Sequence, residues 1–287
     1  MNQKTFPTHW QACTQRIPLE SRTLLMGILN VTPDSFSDGG TYFSPQRAVD
    51  HLLSMIEEGA EIIDIGGEST RPGALPVDEQ EEIRRLKPVL EAVGHRSTVP
   101  ISIDTRKASV AKMALDLGAI IVNDISGLRD DVHMAKVVAE TGAGLVLMHK
   151  KGRPETMQDS PEYNDVVGEV KDFLAARVEV ARKQGIALDQ IVLDPGIGFG
   201  KSVPHNILLV SQCAQFLGLG LPIMVGVSNK AFIGKIIDKP VEARAFGTAT
   251  AVAIAIFQGA HIVRVHDVGT MRDVRDVAVT LRNSCDY

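Results

Sequence analysis

Polar side chains suited to hydrogen bonding and charge chemistry follow short apolar runs all along this 287-residue chain. Each run is rich in Ile, Val and Leu, as expected of a parallel strand that is buried on both faces. If these strands form one sheet, the residues at their carboxyl ends should converge on a common site. These strand-end residues are Asn30, Asp64, Asp104, Asn123, Asp124, His149, Asp194, Ser228 with Lys230, and Arg264 with His266.

Three of the strand-end residues, Asp104, Asn123 and Asp194, favour a heterocyclic ligand. A buried carboxylate without a partner is costly, so each aspartate should meet a hydrogen-bond donor. A carboxylate can accept two parallel N–H bonds from an amino-substituted ring, as acidic side chains do from base edges. The alternative is an internal salt bridge with Lys230 or Arg106. A metal site is the weaker interpretation, because no His/Asp/Glu cluster has close spacing.

Cationic side chains near the same sheet edge indicate an anion site. The guanidinium of Arg71 is a rigid bidentate donor that suits phosphate oxygens. Arg264 and His266 are two residues apart on the predicted last strand and should therefore point to the same side. Together these three residues suggest a diphosphate site. The long polar stretches NVTPDSFSDGG (30–40) and ESTRPGA (68–74) after the first two strands are typical of binding loops.

The segment GIGFGKS at 196–202 departs from both common phosphate-binding motifs. A P-loop would need glycine where Pro195 stands, and the dinucleotide fingerprint would need glycine where Lys201 stands. We therefore interpret this segment as a tight turn that leaves the strand after Asp194.

The apolar runs themselves predict eight strands, which alternate with amphipathic helices and have no linker between them. This pattern favours an α/β fold, a single-domain (β/α)8 TIM barrel over residues 1–287, with 1–22 as an N-terminal extension. A doubly wound open sheet is the alternative. The predicted strands are 24–29, 61–65, 100–104, 120–123, 145–148, 191–193, 222–225 and 262–265.

Composition and charge indicate the cellular environment of the protein and the classes of partner that it binds. The formal net charge of −5 argues against a broad nucleic-acid or anionic-membrane surface. Cys13, Cys213 and Cys285 are widely spaced, which suits reduced thiols in a cytoplasmic protein. The first residues carry no secretory signal pattern, and no apolar run is long enough to span a bilayer. The segment 245–260 is apolar nearly all round, which predicts a helix that packs on two sides, and hence a homodimer.

Several longer motifs resemble one enzyme family, dihydropteroate synthase. They are MGILNVTPDSFSDGG (26–40), IDIGGESTRPGA (63–74), SIDTRK (102–107), IVNDISGL (121–128), LDPGIGFGK (193–201), VGVSNKAFIG (225–234) and GAHIVRVHDV (259–268). The resemblance implies a transferase of folate biosynthesis that condenses 6-hydroxymethyl-7,8-dihydropterin diphosphate with 4-aminobenzoate. It also implies a (β/α)8 barrel, a magnesium ion, a homodimer and sensitivity of the site to sulfonamides.

Carried over by position, the resemblance assigns the pterin to Asp104, Asn123, Asp194 and Lys230, with Arg264 over the ring face. Within this set, Asp104, Lys230 and Arg264 would take the catalytic roles. The diphosphate would be held by Asn30, Arg71 and His266, and Asn30 would also contact magnesium. The 4-aminobenzoate site would be shaped by Thr70, Arg71, Pro72, Phe199 and Ser228.

The motif after the seventh predicted strand departs from the family pattern. The family commonly has S-R-K-S or S-R-K-R, whereas this chain has Ser228-Asn229-Lys230-Ala231. The lysine is kept, and the missing groups belong to the aminobenzoate side. Two alternative functions are a pterin-binding methyltransferase barrel and a catalytically silent paralogue. The two long loops argue against the first, and Arg71, Lys230, Arg264 and His266 argue against the second.

Overall fold

The structure is a computed structural model that describes residues 8–20, 22–32, 44–69, 76–152 and 161–284. A short hairpin precedes an alternation of strands and helices. The strands are β1 (His9–Ala12), β2 (Gln15–Pro18), β3 (Leu24–Asn30), β4 (Ile62–Gly66), β5 (Ile101–Asp104), β6 (Ile121–Asp124), β7 (Gly144–Met148), β8 (Ile191–Asp194), β9 (Met224–Val225) and β10 (Ile262–Val265). The helices are α1 (Pro45–Glu58), α2 (Glu79–Val93), α3 (Ala108–Asp116), α4 (Met134–Thr141), α5 (Val166–Lys183), α6 (Val203–Ser211), α7 (Ala231–Ile237), α8 (Ala245–Phe257) and α9 (Val268–Ser284).

Eight parallel strands form one sheet in the order β8-β7-β6-β5-β4-β3-β10-β9. A parallel bridge between Leu193 and Ile223 joins the two ends of this order, so the sheet closes on itself. The prediction of a single-domain (β/α)8 barrel is therefore confirmed over an open sheet. Seven of the eight predicted strands match the observed bounds to within one residue, and β9 is two residues shorter than predicted.

Local sequence signals explain where the helices begin and end. The helix α1 starts at Pro45 after the N-cap Ser44 and ends at Gly59, whose φ of 109° is the left-handed conformation that glycine adopts without strain. The helix α2 starts after Asp78, whose side chain accepts a hydrogen bond from the Glu81 amide at 2.9 Å. These capped helices cover the outside of the barrel.

The N-terminal extension forms an antiparallel hairpin of β1 and β2 that the sequence did not predict. Trp10 on β1 is fully buried, and its indole nitrogen donates to the carbonyl of Gln190 at 2.7 Å. It packs against Gly144, the first residue of β7, where a Cβ atom would lie 3.0 Å from the indole ring. The hairpin therefore packs against the amino-terminal ends of the barrel strands.

One apolar layer fills the barrel at the hairpin end, and polar side chains occupy the opposite end. The apolar layer comprises Trp10, Ala12, Ile17, Leu19, Leu24, Met26, Ile62, Ile121, Val146, Val192, Met224 and Ile262. Buried polar side chains at or near the carboxyl ends of the strands include Asp64, Asp104, Asn123 and Asp194. None of the helices in the described ranges is long and apolar enough to cross a membrane.

Candidate active site

Arg264, on the last strand, is held between two buried carboxylates near the carboxyl-terminal ends of the strands, the end of the barrel that we call its mouth. Its Nε donates to Asp64 Oδ2 at 2.6 Å, and its Nη2 donates to Asp104 Oδ2 at 2.8 Å. The three residues lie on β10, β4 and β5, which with β3 are four consecutive strands of the sheet. Because two carboxylates balance its charge, the guanidinium is not part of a purely cationic site. The anion-binding role of Arg264 with Arg71 and His266 stays a prediction.

The surroundings of Asp104 make ionisation of its carboxyl harder than in water, but they do not prevent it. Burial raises the pKa of the Asp104 carboxyl to about 7, Arg264 opposes this rise, and the nearby charge of Asp64 adds to it. Arg106 is not its partner, because that side chain pairs with Glu68 at 3.0 Å and Asp130 at 3.5 Å. The alternative of a salt bridge to Arg106 is therefore wrong, and Arg264 takes that place.

Asn123, on β6, is fixed by the same carboxylate that holds Arg264. Its Nδ2 donates to Asp64 Oδ2 at 2.9 Å. The other amide atom, Oδ1, is buried and has no hydrogen-bond partner within the described ranges. The amide is therefore oriented with its donor toward Asp64 and its acceptor unused. A ligand with an N–H group would satisfy that acceptor.

Asp194 lies at the end of β8, beside the glycine-rich turn. Its Oδ1 accepts from the amide of Gly196 at 2.7 Å. Burial raises the pKa of Asp194, whereas the charge of Lys230 and the bond from Gly196 lower it. Burial likewise lowers the pKa of Lys230 to about 8, opposed by the attraction of Asp194. Asp194, which is buried, and Lys230, which is partly buried, form an electrostatically complementary pair.

Lys230, which follows β9, contacts the turn that follows the neighbouring strand β8. Its amine donates to the carbonyl of Ile197 and lies 4.3 Å from the centre of the Phe199 ring. The aliphatic part of its side chain packs against Gly198, where an added Cβ would lie 2.8 Å from Cδ of Lys230. Gly198 also has a φ of 84°. Glycine is thus required at 198 both by backbone conformation and by the lysine that crosses it.

The same turn is held from behind by Lys201, a role that the sequence did not reveal. The amine of Lys201 is buried and donates to the carbonyls of Gly196 at 2.8 Å and Phe199 at 3.0 Å. It also contacts Nδ1 of His149 at 2.9 Å. The segment 196–202 is therefore a tight turn as predicted, and its lysine binds the backbone of the turn. Neither local pattern nor spacing distinguishes such a buried lysine from an exposed one.

Ser228 and His266 lie together on the neighbouring part of the mouth. Nδ1 of His266 is 2.9 Å from the Ser228 hydroxyl, which also accepts from the backbone amide of His266 at 3.2 Å. Asn30 ends β3 and is partly exposed opposite Gly66 of β4. The predicted site residues Thr70, Arg71 and Pro72, and most of the 30–40 loop, lie outside the described residues.

Two other strand-end residues do not join this group. The carboxylate of Asp124 accepts from the amides of Ser126 at 2.8 Å and Leu128 at 2.7 Å, so it fixes its own turn. His149 packs edge-on against Phe173 with ring centres 4.8 Å apart and contacts Lys201. The expectation that every strand end points into one site is corrected for these two residues. Asp64, which the sequence placed there without a role, proves central.

The residues at the mouth of the barrel fit a magnesium ion that takes few of its ligands from the protein. Within the described ranges, no group of three or more His, Cys, Asp or Glu side chains could hold a metal. Magnesium, however, usually keeps several waters and binds through one or two protein oxygens plus substrate phosphates. The amide oxygen of Asn30, at the partly exposed end of β3, is a donor of the type that such an ion accepts.

Comparison with known proteins agrees with this arrangement. The family of pterin binding enzymes matches residues 26–266. A dihydropteroate synthase from Synechocystis is 48% identical over 261 residues, which cover 91% of this chain and 90% of that protein.

Two solved structures extend the comparison to the fold. The Yersinia pestis dihydropteroate synthase in complex with a sulfonamide drug superposes with a TM-score of 0.90 at 41% identity, covering 96% of this chain and 99% of that one. The Burkholderia cenocepacia enzyme complexed with 7,8-dihydropteroate gives a TM-score of 0.86 at 39% identity, covering 98% and 99%. With a closed barrel, buried carboxylates at its mouth and this likeness over most of its length, the chain belongs to the pterin-binding enzyme family and, within it, to the dihydropteroate synthases.

Proposed function

We propose that this protein condenses 6-hydroxymethyl-7,8-dihydropterin diphosphate with 4-aminobenzoate to give 7,8-dihydropteroate and diphosphate. The observation that carries the proposal is the set of buried acceptors at the barrel mouth. Asp194, Asp104 and the unused oxygen of Asn123 suit the amino group and ring N–H groups of a pterin. The family membership of the chain supports the same substrate.

The pterin would lie between the Asp194–Lys230 pair and Asn123. Asp194 would accept from the amino group and a ring N–H, and the amine of Lys230 would donate to the ring carbonyl. Asp194 is buried and Lys230 is partly buried, so these charge-assisted bonds would be largely shielded from water and therefore strong. Arg264 would lie over the ring face, where a planar guanidinium can stack.

The reaction needs a good leaving group and a stabilised cation more than it needs a strong base. The C–O bond to diphosphate breaks with its electron pair, which leaves a cationic methylene conjugated to the dihydropterin ring. The carboxylate of Asp104 would stabilise that cation. The neutral arylamine nitrogen then forms the C–N bond and loses a proton, so the chief requirement is positioning.

We propose His266 and Arg71 as the groups that bind the diphosphate, with Asn30 as a protein ligand of Mg²⁺. A bound magnesium ion would neutralise the charge that develops on the departing diphosphate. Ser228 contacts His266 and would therefore lie between this anion site and the proposed aminobenzoate site. Thr70, Arg71, Pro72 and Phe199 would complete the latter, where sulfonamides would compete.

The test is release of diphosphate from the pterin substrate, measured with and without 4-aminobenzoate. The proposed enzyme releases diphosphate in proportion to dihydropteroate and only when the arylamine is present. A silent paralogue binds the pterin diphosphate but yields no pteroate. A methyltransferase of the same family neither releases diphosphate nor consumes 4-aminobenzoate.

We further propose that the protein is a homodimer that forms through α8 and α9. These helices expose an apolar groove on the outside of the barrel. Phe257 and Ile254 on α8, and Val277 and Leu281 on α9, are each 44% exposed or more. A patch of this kind on one face is typical of a subunit interface. Because α8 already buries Thr248, Val252, Ala255 and Ile256 against the barrel, a second subunit would cover its other side.

We propose a cytoplasmic location because the described cysteines are not joined in disulfides. Cys13 and Cys213 are free thiols, and Cys213 is buried. Unpaired thiols are typical of a reducing compartment.

A further inference from the structure

Asp64 is a fully buried carboxylate that neither the site assignments nor the reaction uses. It lies in the middle of β4, with an exposed fraction of 0%. Its Oδ2 accepts two hydrogen bonds, from Arg264 Nε at 2.6 Å and from Asn123 Nδ2 at 2.9 Å. Both donors belong to side chains that would touch the pterin. One oxygen atom on β4 thus connects Arg264 on β10 to Asn123 on β6.

The bond to Asn123 decides which end of that amide faces the ligand. An asparagine side chain offers a donor at one end and an acceptor at the other. Because Asp64 is an acceptor, it binds Nδ2 and leaves Oδ1 of Asn123 available, buried and without a described partner. A ring that presents N–H groups needs an acceptor there. If the amide were inverted, Nδ2 of Asn123 would face the N–H of the ring, and two donors would meet.

The bond to Arg264 divides the guanidinium between two carboxylates. Nε is occupied by Asp64, so Nη2 is directed at Asp104 at 2.8 Å. Without the first contact, the long arginine side chain could choose other rotamers, and its position over a ring face would be lost. The charge of Asp64 also bears on Asp104, since it opposes the ionisation of that carboxyl.

We propose that Asp64 is a positioning residue of the pterin site, which fixes the amide orientation of Asn123 and the rotamer of Arg264 and sets the charge around Asp104. This inference rests on the proposed function, because it names the residue that prepares the same site. Asp64 does not touch the substrate in this assignment. It acts through two residues that do.

The test replaces Asp64 by asparagine, which keeps its size and removes its charge. We expect Asp64→Asn to raise the Kd for 6-hydroxymethyl-7,8-dihydropterin diphosphate about tenfold or more, because two charge-assisted bonds are weakened. In the proposed reaction, kcat/KM should fall at acidic pH as Asp104 becomes protonated, and we call this fall the acidic limb of the pH profile. We expect Asp64→Asn to move the acidic limb to lower pH by about one unit, because one of the like charges facing Asp104 is removed. The groups that face Asp104 are Arg264, Asp64, Glu82 and Glu68, and only one of them changes.

Ser102→Ala is the matched control. Ser102 is buried on β5 directly opposite Asp64 in the sheet register, and its hydroxyl has no partner in the described parts of the chain. This variant perturbs the same level of the barrel without changing charge, so its acidic limb should stay in place. A shift of the acidic limb in Asp64→Asn alone therefore reports the charge and not general loosening of the fold.

If Asp64→Asn shows no cooperative unfolding transition, Asp64→Glu provides the second variant. It keeps the charge but moves the acceptor by one methylene, so pterin affinity should fall while the acidic limb stays near its wild-type position. Wild-type affinity in either folded variant would overturn the inference. Failure of the wild-type protein itself to bind the pterin diphosphate would instead overturn the proposed function.

Discussion

The amine of Lys201 lies 2.9 Å from Nδ1 of His149, and the two buried side chains tie β7 to the turn after β8. Because the amine donates, Nδ1 accepts, and the proton of the neutral imidazole must be on Nε2. Burial, reinforced by the charge of Lys201, lowers the pKa of His149 to about 2. Burial also lowers the pKa of Lys201. This contact supports the turn on which Phe199 and Gly198 meet Lys230.

Removal of the Lys201 amine should therefore weaken both the fold and pterin binding. In Lys201→Met the carbonyls of Gly196 and Phe199 lose their donor, at a cost of about 1–3 kcal/mol in free energy of unfolding. Urea unfolding measures this loss, and calorimetry should show a higher Kd for the pterin substrate. Lys183→Met, at the exposed end of α5, is the control and should change neither quantity. Equal stability of the two variants would contradict this role of Lys201.

The neutral state of His149 predicts a pH-dependent stability. In the unfolded chain the imidazole gains a proton below about pH 6.5, whereas in the folded protein it stays neutral down to about pH 2. The folded state therefore binds fewer protons, so the contribution of His149 is complete above pH 6.5 and declines as the pH falls. Between pH 7 and pH 5 it should decline by about 2 kcal/mol.

His149→Asn isolates this effect, since the asparagine oxygen can still accept from Lys201. The free energy of unfolding of this variant should fall less between pH 7 and pH 5 than that of the wild type, by the same 2 kcal/mol or so. His133→Asn, on an exposed loop before α4, should follow the wild-type curve. Parallel curves for wild type and His149→Asn would show that the ring is already protonated in the folded state.

The barrel could be predicted from sequence because its signal is local. Each strand is a continuous apolar run, and Gly59 and the N-cap Asp78 mark helix ends within a few residues of the pattern that they bound. The hairpin strands β1 (HWQA) and β2 (QRIP) contain no continuous apolar run, so they lack the signal that marks the barrel strands. Its stability depends on Trp10 reaching the carbonyl of Gln190, 180 positions away.

The site could be predicted as a set of residues but not as a set of contacts. Strand ends identify Asp104, Asn123 and Asp194 as neighbours. The choice of Arg264 over Arg106 as the partner of Asp104 depends on pairing of β10 with β3, which brings together positions 160 residues apart in the sequence. Arg106 follows Asp104 closely in sequence, yet it is drawn to Glu68 and Asp130 on neighbouring loops.

The ionisation of the site predicts a narrow pH optimum for the reaction. Asp104 must be ionised to stabilise the cation, and its pKa of about 7 makes kcat/KM rise with pH through that value. Lys230 must be protonated to donate to the ring carbonyl, and its pKa of about 8 makes kcat/KM fall above that pH. Steady-state rates between pH 5 and pH 10 measure both limbs.

Two variants separate the limbs of that profile. Asp104→Asn should lose the acidic limb along with most activity, and Lys230→Arg should lose the alkaline limb because arginine stays charged. If kcat/KM stays constant between pH 5 and pH 7 in the wild type, the ionisation of Asp104 has no part in the rate.

The apolar groove between α8 and α9 predicts the effect of charge on assembly. Phe257→Asp or Leu281→Asp places a carboxylate at the centre of the proposed interface, where it would be desolvated without a partner. Light scattering should give twice the 31.0 kDa chain mass for the wild type and the single-chain mass for these variants. Val132→Asp, at a site 86% exposed before α4, should remain dimeric. A wild-type protein of single-chain mass would remove the proposal.

The last prediction concerns Asp194, whose carboxylate has one oxygen engaged by the Gly196 amide at 2.7 Å. The other oxygen and the remaining lone pairs are available to the pterin. Asp194→Ala removes a charge-assisted acceptor pair and leaves the partly buried Lys230 without the opposite charge that attracts it most. Both effects oppose binding, since each lost charge-assisted bond costs about 1.5–3 kcal/mol.

Calorimetric titration with the pterin diphosphate should therefore show at least a tenfold weaker Kd for Asp194→Ala, and no heat at ordinary concentrations if both bonds to the pterin are lost. Asp172→Ala, on the exposed face of α5, is the control for loss of one acidic side chain. Asp194→Asn distinguishes charge from shape, because the amide keeps one acceptor and could still bind Gly196. Its affinity should lie between those of Asp194→Ala and the wild type. Wild-type binding by Asp194→Ala would mean that the pterin is held elsewhere.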